Sequence, residues 1–262
     1  MRAPRPVLAA ATVGVAFIAL PVVGLLQRTP WSSLDDLLSR DSITQPLLLS
    51  LLVSIIAALV TVLLGTPLAW TLARVDMPGR RIVRALILLP MVLPPVVGGT
   101  ALLFALGRRG LVGQWLERWF DLTLPFTTTG AVVAAVFVSL PFYVIAVEGA
   151  LESGTDDLEQ MAGTLGAGPM RVLSRITLPR LLPAMGAGTA LAWARALGEF
   201  GATITFAGNL PGRTQTLPLA TFLALESDPE EALALSLVML VVSLAVLIPM
   251  RDRWLPGRTS EQ

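Results

Sequence analysis

Residues 47–73 read LLLSLLVSIIAALVTVLLGTPLAWTLA, an apolar run with no charged side chain. A helix crosses the hydrocarbon core of a bilayer with about 20 mostly apolar residues. The run exceeds that length, so it is predicted to span a membrane. Working outward, Val7–Leu26, Ile82–Leu106, Gly130–Val147, Leu181–Phe206 and Ala232–Met250 meet the same requirement. The expected architecture is all-α, a polytopic transmembrane bundle of six spans forming one domain over residues 1–262.

Composition agrees. Of 262 residues 54% are hydrophobic and 14% charged, whereas soluble domains carry about 25% charged residues. The chain has no Cys and no His, and all 19 basic residues are Arg. Thiolate and imidazole catalysis, Cys/His metal sites and haem ligation are therefore excluded. A phosphate-binding P-loop and a Schiff base each need a lysine, and there is none. No catalytic residue and no metal site are expected, and if ATP drives this protein another polypeptide binds it. The net charge of +1 gives no reason to expect a nucleic-acid partner.

The first apolar run could be a signal peptide. It is long for that role, and Gln27-Arg28-Thr29-Pro30 follows it in place of a small-residue cleavage site. It is read as a retained anchor. Arginine placement sets the orientation. With the N-terminus inside, Arg2, Arg5, Arg74, Arg80, Arg81, Arg84, Arg171, Arg175, Arg180, Arg251, Arg253 and Arg258 are cytoplasmic. Arg28, Arg40, Arg108, Arg109, Arg118 and Arg213 fall outside. Both termini are thus expected in the cytoplasm. Pro90, Pro94, Pro95, Gly98 and Gly99 must bend or break the third span, giving either a simple kink or the wall of a passage. The sixth span has a marked start, with Asp228 as cap, Pro229 in the first turn, then Glu230 and Glu231.

Between the fourth and fifth spans runs a mixed segment, Glu148–Arg180. Thr155 is placed to cap a helix carrying Asp156 and Asp157 in its first turn. Leu158, Met161, Ala162 and Leu165 then recur at helical spacing and give one apolar stripe. Gly166 suits a helix C-terminus, Gly168-Pro169 a turn, and Met170–Ile176 a second short helix before Pro179. The stripe could lie in lipid headgroups or in a protein groove. A helix opening on two carboxylates suits the groove better.

In this segment Glu159-Gln160-Met161-Ala162-Gly163-Thr164-Leu165-Gly166, followed after nine residues by Ile176-Thr177-Leu178-Pro179, resembles the EAA motif of ABC importer permeases. Gly166, Ile176, Leu178 and Pro179 fall at the motif's spacing, while Gln160 and Met161 replace its Glu and first Ala. The resemblance implies that this loop is a coupling helix docking into an ATPase subunit. The docking residues it implies are Glu159, Gln160, Met161, Ala162, Thr164, Leu165, Gly166, Ile176, Leu178 and Pro179. The Gln160 departure leaves open whether the motif's salt bridge can form.

The fifth span places Arg195 and Glu199 four residues apart on one helix face. Charges at such depth are costly and are paired or face a cavity. The pair is read either as a packing clamp or as a gate. Gly198 and Gly201 flank Glu199 and permit close helix approach, Thr203 and Thr205 add hydroxyls, and Asn209 with Arg213 lies toward the outer mouth. Hydroxyl and amide groups suit passage of an oxyanion without trapping it. Residues 194–203, 206–209 and 211–219, together with Leu89–Val97, resemble the molybdate permease group, to which sulfate and thiosulfate permeases are related. That resemblance implies import of molybdate, with tungstate or sulfate as alternatives. It also implies a second copy of the chain, two ATP-binding cassette subunits using ATP and Mg, and a periplasmic or lipid-anchored oxyanion-binding protein. The setting implied is a bacterial or archaeal inner membrane. An ATP-independent secondary transporter is the reading from a different class; its usual internal repeat is not evident.

Overall fold

The computed structural model describes residues 4–153 and 156–254. Among them the chain forms helices and no strand. In order these are α1 (Arg5–Arg28), α2 (Leu34–Leu38), α3 (Asp41–Arg74), α4 (Arg80–Val92), α5 (Pro95–Leu106), α6 (Gly113–Phe120) and α7 (Thr128–Glu152). Then come α8 (Asp156–Thr164), α9 (Pro169–Val172), α10 (Leu178–Leu197), α11 (Gly201–Phe206), α12 (Leu217–Ser227) and α13 (Pro229–Trp254). A π turn, Leu173–Thr177, joins α9 to α10.

Among the described residues four helices are long and apolar enough to cross a membrane: α1, α3, α7 and α13 over Pro229–Val246. The remaining two apolar regions are interrupted. Leu93 precedes Pro94, whose ring forces it into extended backbone (φ −65°, ψ 135°), so α4 stops and α5 restarts with Pro95 in its first turn. The expected bend in Ile82–Leu106 is thus a full break. Leu181–Phe206 is not one helix either. It starts earlier, at Leu178, ends at Leu197, and resumes as α11.

The core is the bundle of α3, α7 and α10. Ala57, Ala131, Ala135 and Ala192 have 0% exposure at its contacts, because small side chains let apolar helices approach closely. At Gly65 of α3 the approach is close: an added Cβ would lie 2.5 Å from Tyr143 Cδ1. Hydroxyls inside this apolar packing are paired, Thr61 Oγ1 with Ser139 Oγ at 3.1 Å and Thr66 Oγ1 with Tyr143 Oη at 2.7 Å. The first helix differs. α1 has no buried residue and leans on α13.

The half-helices following the two breaks pack together. A Cβ on Gly99 of α5 would lie 2.8 Å from the Ala202 carbonyl oxygen, and one on Gly201 of α11 would lie 2.7 Å from Pro95 Cβ. From α11 the chain folds back through α12, whose Leu217 N–H donates to Ser50 Oγ of α3 at 2.6 Å. The Asp228 cap forms as predicted, its Oδ1 accepting from the Glu230 and Glu231 amides at 3.2 Å. Arg40 reaches Asp228 and Glu231 at 3.7 and 3.6 Å and ties the start of α3 to the start of α13.

Candidate functional site

At one end of the bundle lies the loop from α7 to α10. The predicted Thr155 cap lies outside the described residues, but α8 forms over Asp156–Thr164. It ends as the glycine requires: Gly166 adopts φ +83°, a left-handed conformation with no penalty for a residue lacking Cβ, and the Ala167 amide donates to the Ala162 carbonyl at 3.0 Å. The predicted helix Met170–Ile176 is not separate. Helical backbone runs from Pro169 without interruption into α10. Pro179 has no N–H and its ring presses on the preceding turn, and the backbone widens to π geometry just before it, with Leu178 N–H donating to the Leu173 carbonyl.

The apolar stripe faces outward. Leu165 is 86% and Met161 60% exposed, and with Leu158, Ala162, Ile176 and Pro179 they line a groove of about 460 Å³ that Arg175 and Arg180 also border. Nothing else in the chain covers it among the described residues. Opposite the stripe, Glu159 faces the bundle. Its Oε2 accepts from Arg74 Nε at 2.9 Å and its Oε1 from Thr177 Oγ1 at 2.7 Å, while Arg74 Nη2 also donates to the Leu151 carbonyl at 3.1 Å. One carboxylate thus joins α8 to the last residue of α3 and to the π turn. With Gln160 exposed, the adjacent Glu159 is the residue that makes a salt bridge to the bundle. Gln160 and Thr164 are exposed, the latter donating to its own helix at the Met161 carbonyl, 2.7 Å away.

A second charged cluster carries no motif that would mark it in the sequence. Arg84 of α4 donates to Glu148 and, at 2.9 Å, to Glu152 of α7, and Arg80 lies 3.5 Å from Glu152. Glu148 is only 6% exposed. A weaker signal was present: Arg80/Arg84 and Glu148/Glu152 are both four residues apart, so each pair presents two charges on one helix face. Arg74 and Thr177 were likewise legible only as a terminal arginine and a motif filler.

Deeper in the bundle, Arg195 and Glu199 do meet, with Nη1 to Oε2 at 2.6 Å. They do not share a helix face. Glu199 stands in the break after α10, 2% exposed, and its Oε1 accepts from the Ala202 amide at 2.7 Å. The carboxylate therefore closes two needs created by the break, the unpaired amide at the start of α11 and the largely buried guanidinium at the end of α10. Gly201 gives the close approach expected of it; Gly198 does not, being exposed with no atom nearer than 3.7 Å to an added Cβ. Thr203 is buried on α11, and Thr205 returns its hydroxyl to the Gly201 carbonyl at 2.8 Å. Asn209 Oδ1 is buried without a partner, and the nearby Arg213 carbonyl accepts from Thr128 Oγ1 at 2.8 Å beside the start of α7.

Comparison with known proteins agrees with this architecture. Residues 62–255 match the family described as binding-protein-dependent transport system inner membrane component. The chain is 47% identical over 245 residues to the molybdenum transport system permease protein ModB of Mycobacterium tuberculosis, covering 94% of this chain and 92% of that protein. It is 35% identical over 234 residues to the sulfate transport system permease protein CysT of Escherichia coli, covering 88% and 84%. In fold it is similar to a bacterial ABC transporter involved in the import of the acidic polysaccharide alginate, with TM-score 0.75 at 18% identity over 96% of both chains. This all-α multi-pass bundle, matched over most of its length, belongs to the binding-protein-dependent inner membrane components, the permease subunits of ABC importers.

Proposed function

We propose that this chain carries molybdate across the inner membrane as the permease of an importer powered by ATP and Mg on separate subunits. Two copies form the passage, each seats one ATPase subunit on α8, and an oxyanion-binding protein delivers cargo at the opposite end. The loop from α7 to α10 and both termini are placed in the cytoplasm, in line with the arginine bias. The six-span count is kept by treating α4 with α5 and α10 with α11 as two interrupted spans. Interrupted helices inside a membrane are tolerated where protein or a cavity satisfies the freed backbone, and Glu199 supplies that service here.

The observation that carries the coupling role is the division of labour on α8. Glu159 fixes one side of the helix to α3 and the π turn, while Met161 and Leu165 stand open on the other. A push on the open side is then transmitted to α3 and α10. The docking set is Glu159, Gln160, Met161, Ala162, Thr164, Leu165 and Gly166 with Ile176, Leu178 and Pro179, in which Glu159 acts by positioning. For the passage, Arg195 and Glu199 with Gly201 hold the break, and Thr203, Thr205 and Asn209 line its continuation. Molybdate is preferred over sulfate because identity is 47% with a molybdenum permease and 35% with a sulfate permease.

Co-reconstitution with the ATPase and binding protein tests this. Radiolabelled molybdate is expected to enter proteoliposomes only with ATP and both partners, and unlabelled tungstate is expected to compete better than sulfate. Equal uptake without the ATPase, or preferential sulfate uptake, overturns the reading.

A further inference from the structure

Between α5 and α7 the chain forms the short helix α6, which takes no part in the coupling loop or the helix break. Its residues separate sharply. Leu111, Val112, Trp115, Leu116, Trp119 and Phe120 fall on one half of the helix and the turn before it, and Gln114, Glu117, Arg118 and Asp121 on the other. Leu116 packs against the protein near Leu102 and Leu106. The rest of the apolar half is open: Leu111 is 76%, Trp119 69% and Phe120 72% exposed, with the Trp115 and Trp119 rings 5.3 Å apart.

Three features fix where this face points. The corner joining α5 to α6 is closed tightly, the Leu111 and Val112 amides donating to the Phe104 and Ala105 carbonyls at 3.1 and 2.8 Å. Gly107, Gly110 and Gly113 leave no room there, since a Cβ on Gly113 would lie 2.0 Å from the Gly107 oxygen. The polar half is tied back, with Arg108 Nε to Glu117 Oε1 at 2.8 Å. α6 therefore cannot swing away from the point where α5 turns polar. At the end of α5 Phe104, 75% exposed, borders a pocket of about 350 Å³ that Arg108 and Arg109 also line, apolar on the α5 side and cationic at the turn.

Indole rings favour the boundary between acyl chains and headgroups, and guanidinium groups beside them match phosphate. We infer that α6 is an interfacial anchor lying in the phospholipid headgroup layer, Trp115 and Trp119 turned toward the acyl boundary and Arg109 and Arg118 toward lipid phosphate. The occupant of this face is the bilayer, continuous with the exposed apolar side chains Val96, Val97 and Phe104 of α5. The inference rests on the chain being a membrane protein but not on which side α6 occupies.

The absence of cysteine makes the test direct. Trp119→Cys and Leu111→Cys, both at open positions, and Gln114→Cys on the polar half are nitroxide-labelled in the full chain reconstituted in phosphatidylcholine–phosphatidylglycerol vesicles with its ATPase. Labels at 119 and 111 are expected to collide more with oxygen than with a water-soluble nickel chelate, and the label at 114 to show the reverse. A label at 119 that favours the nickel chelate, or collides with neither because protein covers it, overturns the inference. Ascorbate added outside vesicles of known orientation separately reports the side, so an error in topology is distinguishable from an error in depth.

Discussion

Replacing Arg195 with Met removes the cation facing Glu199, a carboxylate 2% exposed and held at 2.6 Å by the guanidinium. Breaking a buried pair from one side leaves an uncompensated charge and costs about 3–5 kcal/mol. Glu199→Gln is milder. The amide oxygen can still accept from the Ala202 N–H, and Arg195, 27% exposed, can turn toward water. Loss of one charge-assisted bond costs about 1.5–3 kcal/mol. The double variant leaves neither charge unpaired and is expected to recover most of the Arg195→Met loss. For a chain of this size each kcal/mol moves Tm by about 2–4 °C, so Arg195→Met should lower Tm in nanodiscs by roughly 10 °C. Glu199→Gln should lower it by about half as much. The assay is a thermal scan of all three variants paired with molybdate uptake. If Arg195→Met is no worse than Glu199→Gln, or the double variant is as unstable as the summed singles, the clamp reasoning is wrong. Uptake returning with stability in the double variant marks the pair as packing; uptake still lost in a stable double variant marks it as part of the gate.

Leu165→Asp, at a side chain 86% exposed, should leave Tm unchanged while abolishing copurification with the ATPase; wild-type copurification would refute the docking surface. Glu159→Ala removes both the Arg74 and Thr177 contacts and should weaken ATPase coupling, seen as retained ATP hydrolysis with at least a several-fold fall in uptake per ATP. Thr177→Val should reproduce part of that loss. Gly99→Ala drives a methyl to 2.8 Å from a backbone carbonyl and should cost about 1–3 kcal/mol in thermal unfolding. Gly186→Ala, with no atom within 4 Å of the new Cβ, is the matched control and should be neutral or slightly stabilising.

The four long apolar helices were legible because burial in lipid demands long uninterrupted apolar runs, and Leu47–Ala73 satisfies that without any help from its neighbours. The loop motif was legible for a local reason too: Gly166 is read by its left-handed backbone and α8 by its stripe. The charged cluster of Arg84 with Glu148 was not, since four-residue spacing on each of two helices says nothing about which helix faces which.

Sequence by itself therefore determined the class, a bend or break in the proline-rich third run, the capped start of α13 and the apolar stripe of α8. Each of these depends on φ restriction, backbone donors or hydrophobic periodicity within a few residues. Only the tertiary structure decided that Glu159 turns inward to Arg74 and Thr177, that Glu199 leaves its helix to cap the next, and that α5 and α11 meet through Gly99 and Gly201. Those outcomes depend on which distant groups are left unpaired or uncrowded once the helices pack, and that is settled in space.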